Sequence, residues 1–267
     1  MSFLKYISKN RLTVTFILLG LLIFLFVVIP LGKMIFASAS EAGTFWETIL
    51  DPEVTGAIGL TLLAALIATS VGFFLGVPLA YLLARHDFKG KKLVEGLIDV
   101  PIVVPHTAAG IALLFVFGRN TALGQAFSFF GIRFVDSMAG IVVAMMFVSI
   151  PFLIDSAKEG FKKVDVRLEK VARTLGASPW QAFFRVSFPL AWRSIFAGNV
   201  MMWARGISEF GAVIILAYHP MIAPVLVYER FETYGLDYAR PIAVLLILVS
   251  ILVFIILRTV AYRGDKS

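Results

Sequence analysis

Six apolar runs constrain this chain more than any other feature. They cover residues 12–31, 58–83, 97–117, 138–154, 195–216 and 242–260. Each approaches or exceeds the ~20 helical residues that cross a bilayer core. Backbone groups must bond internally in hydrocarbon, so the runs predict helices. The predicted fold class is all-α: a polytopic membrane protein of six transmembrane helices. Only 15% of the 267 residues are charged, where a soluble domain carries about a quarter. The second run holds Gly72, Gly76 and Pro78 and is long enough to tilt or project beyond the hydrocarbon. Pro101 and Pro105 remove backbone donors and predict a bend or break in the third. The fourth is short and ends near Pro151.

The Lys and Arg residues fix a predicted orientation through the positive-inside rule. One set of connections, which includes Lys5, Lys9, Arg263 and Lys266, holds eighteen of them, and the opposite set holds five. Both termini are therefore expected in the cytoplasm of a multi-pass cell-membrane protein. This distribution accounts for the net charge of +7 without nucleic acid as a partner. Zero cysteines exclude disulfides and thiolate metal sites. The three histidines lack motif spacing, so neither a metal site nor a catalytic residue is predicted. Ala37-Ser38-Ala39 resembles a signal cleavage site, but the run before it exceeds a signal core of about 7–15 residues. A single domain over 1–267 is expected.

The connection 155–193 is the longest and most basic on the cytoplasmic side. Asp165 is placed to cap a first short helix, and Gly176 suits a left-handed C-terminal position. Ser178, Pro179 and Gln181 spell a capping box with proline at the first helical position. Trp180, Phe183, Phe184 and Phe188 follow, and Pro189 is expected to interrupt the chain before the fifth span. Periodicity alone fits either an amphipathic segment on anionic membrane lipid or a compact knob that docks a partner.

The spacing Gly176, nine residues, Val186-x-Phe188-Pro189 resembles the EAA loop of ABC importer permeases. That form reads Glu-Ala-Ala, three residues, Gly, nine residues, Ile-x-Leu-Pro. Lys170, Val171 and Ala172 stand at the Glu-Ala-Ala positions, so Glu169 lies one place early. The stretches from Gly76 to Arg85, Pro101 to Pro105 and Ala204 to Ala212 look like the molybdate, tungstate and sulfate branch, and Ala217 to Arg230 looks closest to archaeal members. The resemblance implies a type I ABC importer permease acting as a homodimer. It also implies two ATP-binding subunits and an extracytoplasmic oxyanion-binding protein. In that family the loop carries a coupling helix seated on the ATPase. The carried-over contact positions are Glu169, Ala172, Gly176, Ala177, Ser178, Pro179, Trp180 and Pro189. No Walker A sequence occurs here, so this chain binds no cofactor, and ATP with Mg belongs to the partner subunit.

Arg205 and Glu209 fall near the middle of the fifth run, at a spacing that places them on one helix face. They are read either as a self-neutralising pair that locks the span or as groups lining the route of a tetrahedral dianion. A charge there is costly unless it faces protein or water. Ser208, Thr107 and His106 are secondary candidates for that route, and Gly206 and Gly211 are expected to permit close helix packing. The competing functional class is a secondary transporter or channel without an ATPase. That class more often shows helices broken at matching positions in two halves, and the sequence offers one break, at Pro101–Pro105.

Overall fold

A computed structural model describes residues 11–262, so Lys5, Lys9, Arg263 and Lys266 of the orientation argument lie outside the described residues. Among those described, all regular structure is helical. In chain order the helices are α1 Arg11–Ser40, α2 Ala42–Leu50, α3 Pro52–Arg85, α4 Lys91–Val103, α5 His106–Phe117, α6 Ala122–Phe129 and α7 Met138–Lys163. Then come α8 Val166–Thr174, α9 Pro179–Ala182, a π-helical turn Phe183–Ser187, α10 Phe188–Ile207, α11 Gly211–Leu216, α12 Ala223–Tyr234 and α13 Leu236–Tyr262. Four of these (α1, α3, α7 and α13) are long and apolar enough to cross a membrane. The bent pair α4–α5 makes a fifth if counted as one span.

The centre is built from α3, α7 and α10 with α5 and α11 beside them. Ala64, Ala65, Ala68, Ala144, Met145 and Val148 form one cluster with Trp203 and Val213. Val77, Ala80, Leu83, Leu153, Phe161 and Ile195 form another toward the far end of α3. Small residues let the backbones approach, as is usual where helices pack within lipid. At the α7–α10 crossing a Cβ on Gly160 would meet Ser194 Cβ at 2.5 Å, and one on Gly198 would meet Ser156 Cβ at 2.8 Å. Ser156 Oγ then donates to the Ser194 carbonyl at 2.7 Å. Helix α1 stands off this core with its apolar side chains exposed, and continues through the Ala37-Ser38-Ala39 stretch.

Three expectations about the runs are corrected. The fourth does not end at Pro151: α7 continues through it to Lys163. Pro189 does not interrupt the chain, because it sits in the first turn of α10, directly after the π turn. There the Phe188 N–H reaches back five residues to the Phe183 carbonyl. The wider turn absorbs the irregularity around the proline, so the helix runs on from Pro179 to Ile207. The fifth run is not one helix either, since α10 stops at Ile207 and α11 starts at Gly211.

The expected break at Pro101–Pro105 is present, as a 115° bend between α4 and α5. Val104 and Pro105 both have extended backbone (ψ 133 and ψ 130), the conformation that a following proline imposes on Val104. Pro101 itself stays inside α4. Helix α3, the long second run, has 34 residues, roughly 50 Å at the helical rise. It outreaches a hydrocarbon core of ~30 Å, and its last turns, carrying Tyr81 and Arg85, support the 165–189 loop.

Candidate functional site: an interlocked loop and a buried charge cluster

The loop folds as its caps dictate. Asp165 accepts from the Arg167 N–H and starts α8. Gly176 adopts φ +94, its N–H bonds the Arg173 carbonyl, and the Ala177 N–H bonds the Ala172 carbonyl at 3.0 Å. This pair of bonds is the Schellman closure, which favours glycine at the left-handed position. Ser178 and Gln181 then form the complete reciprocal capping box that opens α9.

Glu169 is the one charged site residue of this loop that the fold buries. Its side chain turns inward from α8 and gathers three donors. Arg85 Nε donates to Oε1 at 2.7 Å, Ser187 Oγ to Oε1 at 2.6 Å and Tyr81 OH to Oε2 at 2.9 Å. Arg85 Nη2 also donates to the Val164 carbonyl at 3.1 Å. The side chains of Arg85 and Glu169 are 6% and 12% exposed, so the ion pair is nearly dry. Burial pushes the Glu169 carboxyl up, but the bonds from Ser187, Arg85 and Tyr81 with the Arg85 charge outweigh it, leaving the group below its ordinary value. The carboxylate thus joins α8, the end of α3 and the π turn at a single point. The one-place offset of Glu169 has a physical meaning here: Lys170, which aligns with the usual glutamate, is exposed, and Glu169 faces the protein.

The other predicted loop positions lie outward. Gly176, Ser178, Pro179, Trp180 and Pro189 are exposed, and Ala172 and Ala177 are half-buried. Trp180 stacks on Phe184 at 5.9 Å, and both line a groove of about 840 Å³ between the loop and the end of α3. Sequence reasoning missed Tyr81, Arg85 and Ser187. Tyr81 and Arg85 sit four residues apart at the end of the Gly76–Arg85 stretch, a helical spacing that aims both at one neighbour.

The second cluster forms where two helices are interrupted. Glu209 is completely buried. Its Oε1 accepts the Ala212 N–H at 2.8 Å, which satisfies a donor at the start of α11. Its Oε2 takes Arg205 Nη2 at 3.0 Å and His106 Nδ1 at 3.0 Å. Arg205 Nη2 also lies 2.8 Å from the His106 ring nitrogens. Arg205 Nη1 donates to Ser208 Oγ, and that hydroxyl returns a bond to the Arg205 carbonyl.

The predicted Arg205–Glu209 pair therefore exists, but not on one helix face: Glu209 lies in the turn after α10. A carboxylate that bonds a nearby backbone N–H competes with continued helix at that point. The structure draws His106 into the pair across 99 residues. Ser208 joins through Arg205, whereas Thr107 is exposed beside them. Helix α5 begins at His106 without a side-chain cap, so its positive end lies at the cluster. A groove of about 740 Å³ along α3, α10 and α13 is lined mainly by apolar residues and contains none of these charged groups.

The two interrupted helices meet through glycine. A Cβ on Gly211 would lie 2.7 Å from His106 Cβ, whereas one on Gly206 would find its nearest neighbour, Ala65 Cβ, at 3.5 Å. Gly211→Ala is expected to cost about 1–3 kcal/mol through overpacking, and Gly206→Ala to be close to neutral. Thermal unfolding of the two detergent-solubilised variants separates them; equal midpoints would refute the packing role of Gly211.

The chain matches the family described as binding-protein-dependent transport system inner membrane component over residues 76–264. It is 44% identical over 250 residues to the molybdate/tungstate transport system permease protein WtpB of Thermococcus kodakarensis, covering 94% of this chain and 96% of that one. It is 31% identical to the sulfate transport system permease protein CysT of Synechocystis sp., covering 91% of this chain and 86% of that one. Among solved structures, a bacterial alginate ABC transporter in complex with a periplasmic protein shares the fold. Its TM-score is 0.79 at 16% identity, covering 99% of each chain. With the family matched over most of its length, this chain belongs to the membrane permease components of binding-protein-dependent ABC transport systems.

Proposed function

We propose that two copies of this chain form the translocation path of an ATP-driven importer for a tetrahedral oxyanion, molybdate or tungstate, with sulfate as the alternative. The observation that carries this reading is the 44% identity to a molybdate/tungstate permease along nearly the whole chain. In this reading six spans cross the membrane with both termini cytoplasmic, and residues 1–267 act as one domain. The 155–193 loop faces the cytoplasm. Two ATP-binding subunits, which hold ATP and Mg, seat the loop at Gly176–Trp180, and an extracytoplasmic binding protein delivers the anion. Family membership favours this over a secondary carrier or channel.

Closure of the ATPase dimer on ATP draws the two loops together. Glu169 ties each loop to α3, and the unbroken stretch from Pro179 to Ile207 ties it to α10, so loop movement is delivered to the helices that carry Arg205. Hydrolysis restores the other state, and the cycle is alternating access through differential binding of two conformations. Arg205, with Glu209 behind it, meets the anion. A guanidinium already paired gives a shallow site, and transit requires binding weak enough to release. Ser208, His106 and the exposed Thr107 extend the same polar stretch.

Docking is tested by Ala177→Asp, which adds a charge to the outward tip without touching the Glu169 contacts. The expected result is loss of the ATP-binding subunit on co-purification, at unchanged permease yield. Retention of that subunit by both Ala177→Asp and Gly176→Asp would sink the docking claim.

A further inference from the structure

We propose that the groove between the loop and the end of α3 seats an anionic phospholipid of the cytoplasmic leaflet, with an acyl chain laid along Phe73, Phe74 and Phe188 and the headgroup phosphate held by Lys170 and Arg173. The inference rests on the reading that the loop faces the cytoplasm, and is independent of which anion is transported.

The groove is apolar along its length and basic at its loop end. Its aromatic bed is continuous: Trp180 meets Phe184 with ring centroids 5.9 Å apart, Phe184 meets Phe188 at 6.3 Å, Phe188 meets Phe73 at 6.2 Å and Phe73 meets Phe74 at 5.5 Å. All five rings line the groove, and Phe74 is 73% exposed. From Phe74 to Arg85, α3 rises roughly 17 Å. That is close to half of a ~30 Å hydrocarbon core, the depth of one leaflet. With Arg85 at the interface, the groove therefore reaches the middle of the bilayer at Phe74. Trp180 then stands at the headgroup level, where tryptophan is enriched.

Charge selects the headgroup. Lys170 and Arg173 line the loop end, are exposed, and lie three residues apart on one face of α8. Neither side chain has an ion-pair or hydrogen-bond partner among the described residues. The acidic residue of the lining, Glu169, is already matched by Arg85. The rim thus carries two uncompensated positive charges, which suit a phosphate and attract anionic lipid. A water-soluble subunit covers the headgroup end but does not descend a leaflet to Phe74. A second copy of this chain would bring its own basic cytoplasmic connections against the basic rim. An anionic phospholipid satisfies both ends at once. Seated there, it fills the angle between α8 and α3 and props the loop from the membrane side, beside the Glu169 tie.

The test uses the permease complex with its ATP-binding subunits, purified in neutral detergent and stripped of lipid. It is titrated with phosphatidylglycerol or phosphatidylcholine of equal chain length, and bound lipid is counted by native mass spectrometry. Wild type is expected to bind phosphatidylglycerol in preference, at one site per permease copy. Lys170→Gln with Arg173→Gln should weaken that site about twenty-five-fold, from roughly fivefold for each charge removed. Lys89→Gln with Lys92→Gln removes the same charge from exposed positions outside the groove and should leave the affinity unchanged. Equal binding of the two lipids by wild type, or equal losses in the two double variants, overturns the inference. A second measurement needs no variant. Phosphatidylglycerol with a photoactivatable diazirine midway along its acyl chain should label Phe73–Phe74 and Phe184–Phe188, and unlabelled phosphatidylglycerol, but not phosphatidylcholine, should compete. Absence of label from Phe73–Phe74 would mean that protein covers the groove, and overturns the inference. Both readouts are taken without transport, so their failure leaves the importer reading intact, and failure of the Ala177→Asp docking test leaves the lipid site intact.

Discussion

Glu169→Ala is expected to loosen the loop from the membrane helices and to cut ATP-dependent uptake sharply while the permease still inserts. The substitution leaves the Arg85 guanidinium nearly buried with the Val164 carbonyl as its hydrogen-bond acceptor and the Tyr81 ring beneath it, and removes the acceptor of Tyr81 and Ser187. Breaking a buried ion pair by deleting one partner costs about 3–5 kcal/mol. The capping box and the Gly176 closure do not involve Glu169, so the loop would keep its local shape but lose its fixed attachment to α3. Glu169→Gln keeps the size and part of the hydrogen bonding, and should fall between the two. The diagnostic measurement is a double-mutant cycle on thermal unfolding. Arg85→Ala with Glu169→Ala should be less damaging than the sum of the single changes, because neither charge is then left unpaired. Strict additivity would show that the two residues act independently.

The same carboxyl gives the loop an acid limit. Its value in the folded protein lies below the ordinary one, so the unfolded state binds the proton more readily. The stabilisation is complete above about pH 4.3, the ordinary glutamate value, and is lost as pH falls through the lower folded value. Acid should therefore weaken the wild type toward the stability of Glu169→Gln, and that variant should lack this part of the pH dependence.

Arg205→Ala carries the second large effect, on transport rather than assembly. Glu209 would keep the Ala212 N–H and His106 as partners, and it lies among helices whose apolar packing is unchanged. The complex is expected to assemble with its ATP-binding subunits. Oxyanion uptake should fall roughly tenfold to hundredfold, since a hydrogen bond to a charged group is worth about 1.5–3 kcal/mol and 1.4 kcal/mol is a factor of ten. Glu209→Gln should behave differently. It leaves Arg205 without its neutralising partner, so the anion is held more tightly and released more slowly. Wild-type uptake by Arg205→Ala would make the pair a structural lock.

The sequence by itself determined the helical class, the apolar runs and the loop's local form. Each rests on short-range chemistry: the length of an apolar run, the reach of Ser178 to the Gln181 N–H, and the left-handed backbone at Gly176 that disfavours a Cβ. The Pro105 break was equally legible, because a proline restricts the residue beside it. Three things were decided only by tertiary structure. Pro151 and Pro189 look alike to Pro105 in a sequence, yet α7 absorbs one and the π turn accommodates the other. The break at 208–210 carries no proline, and arises where the Glu209 carboxylate caps α11 and meets a histidine from α5. The role of Glu169 needed three partners, of which Tyr81 and Arg85 lie more than eighty residues away. Local rules fix what a segment can form; which buried charge meets which partner depends on how the helices pack, and that is a property of the whole chain.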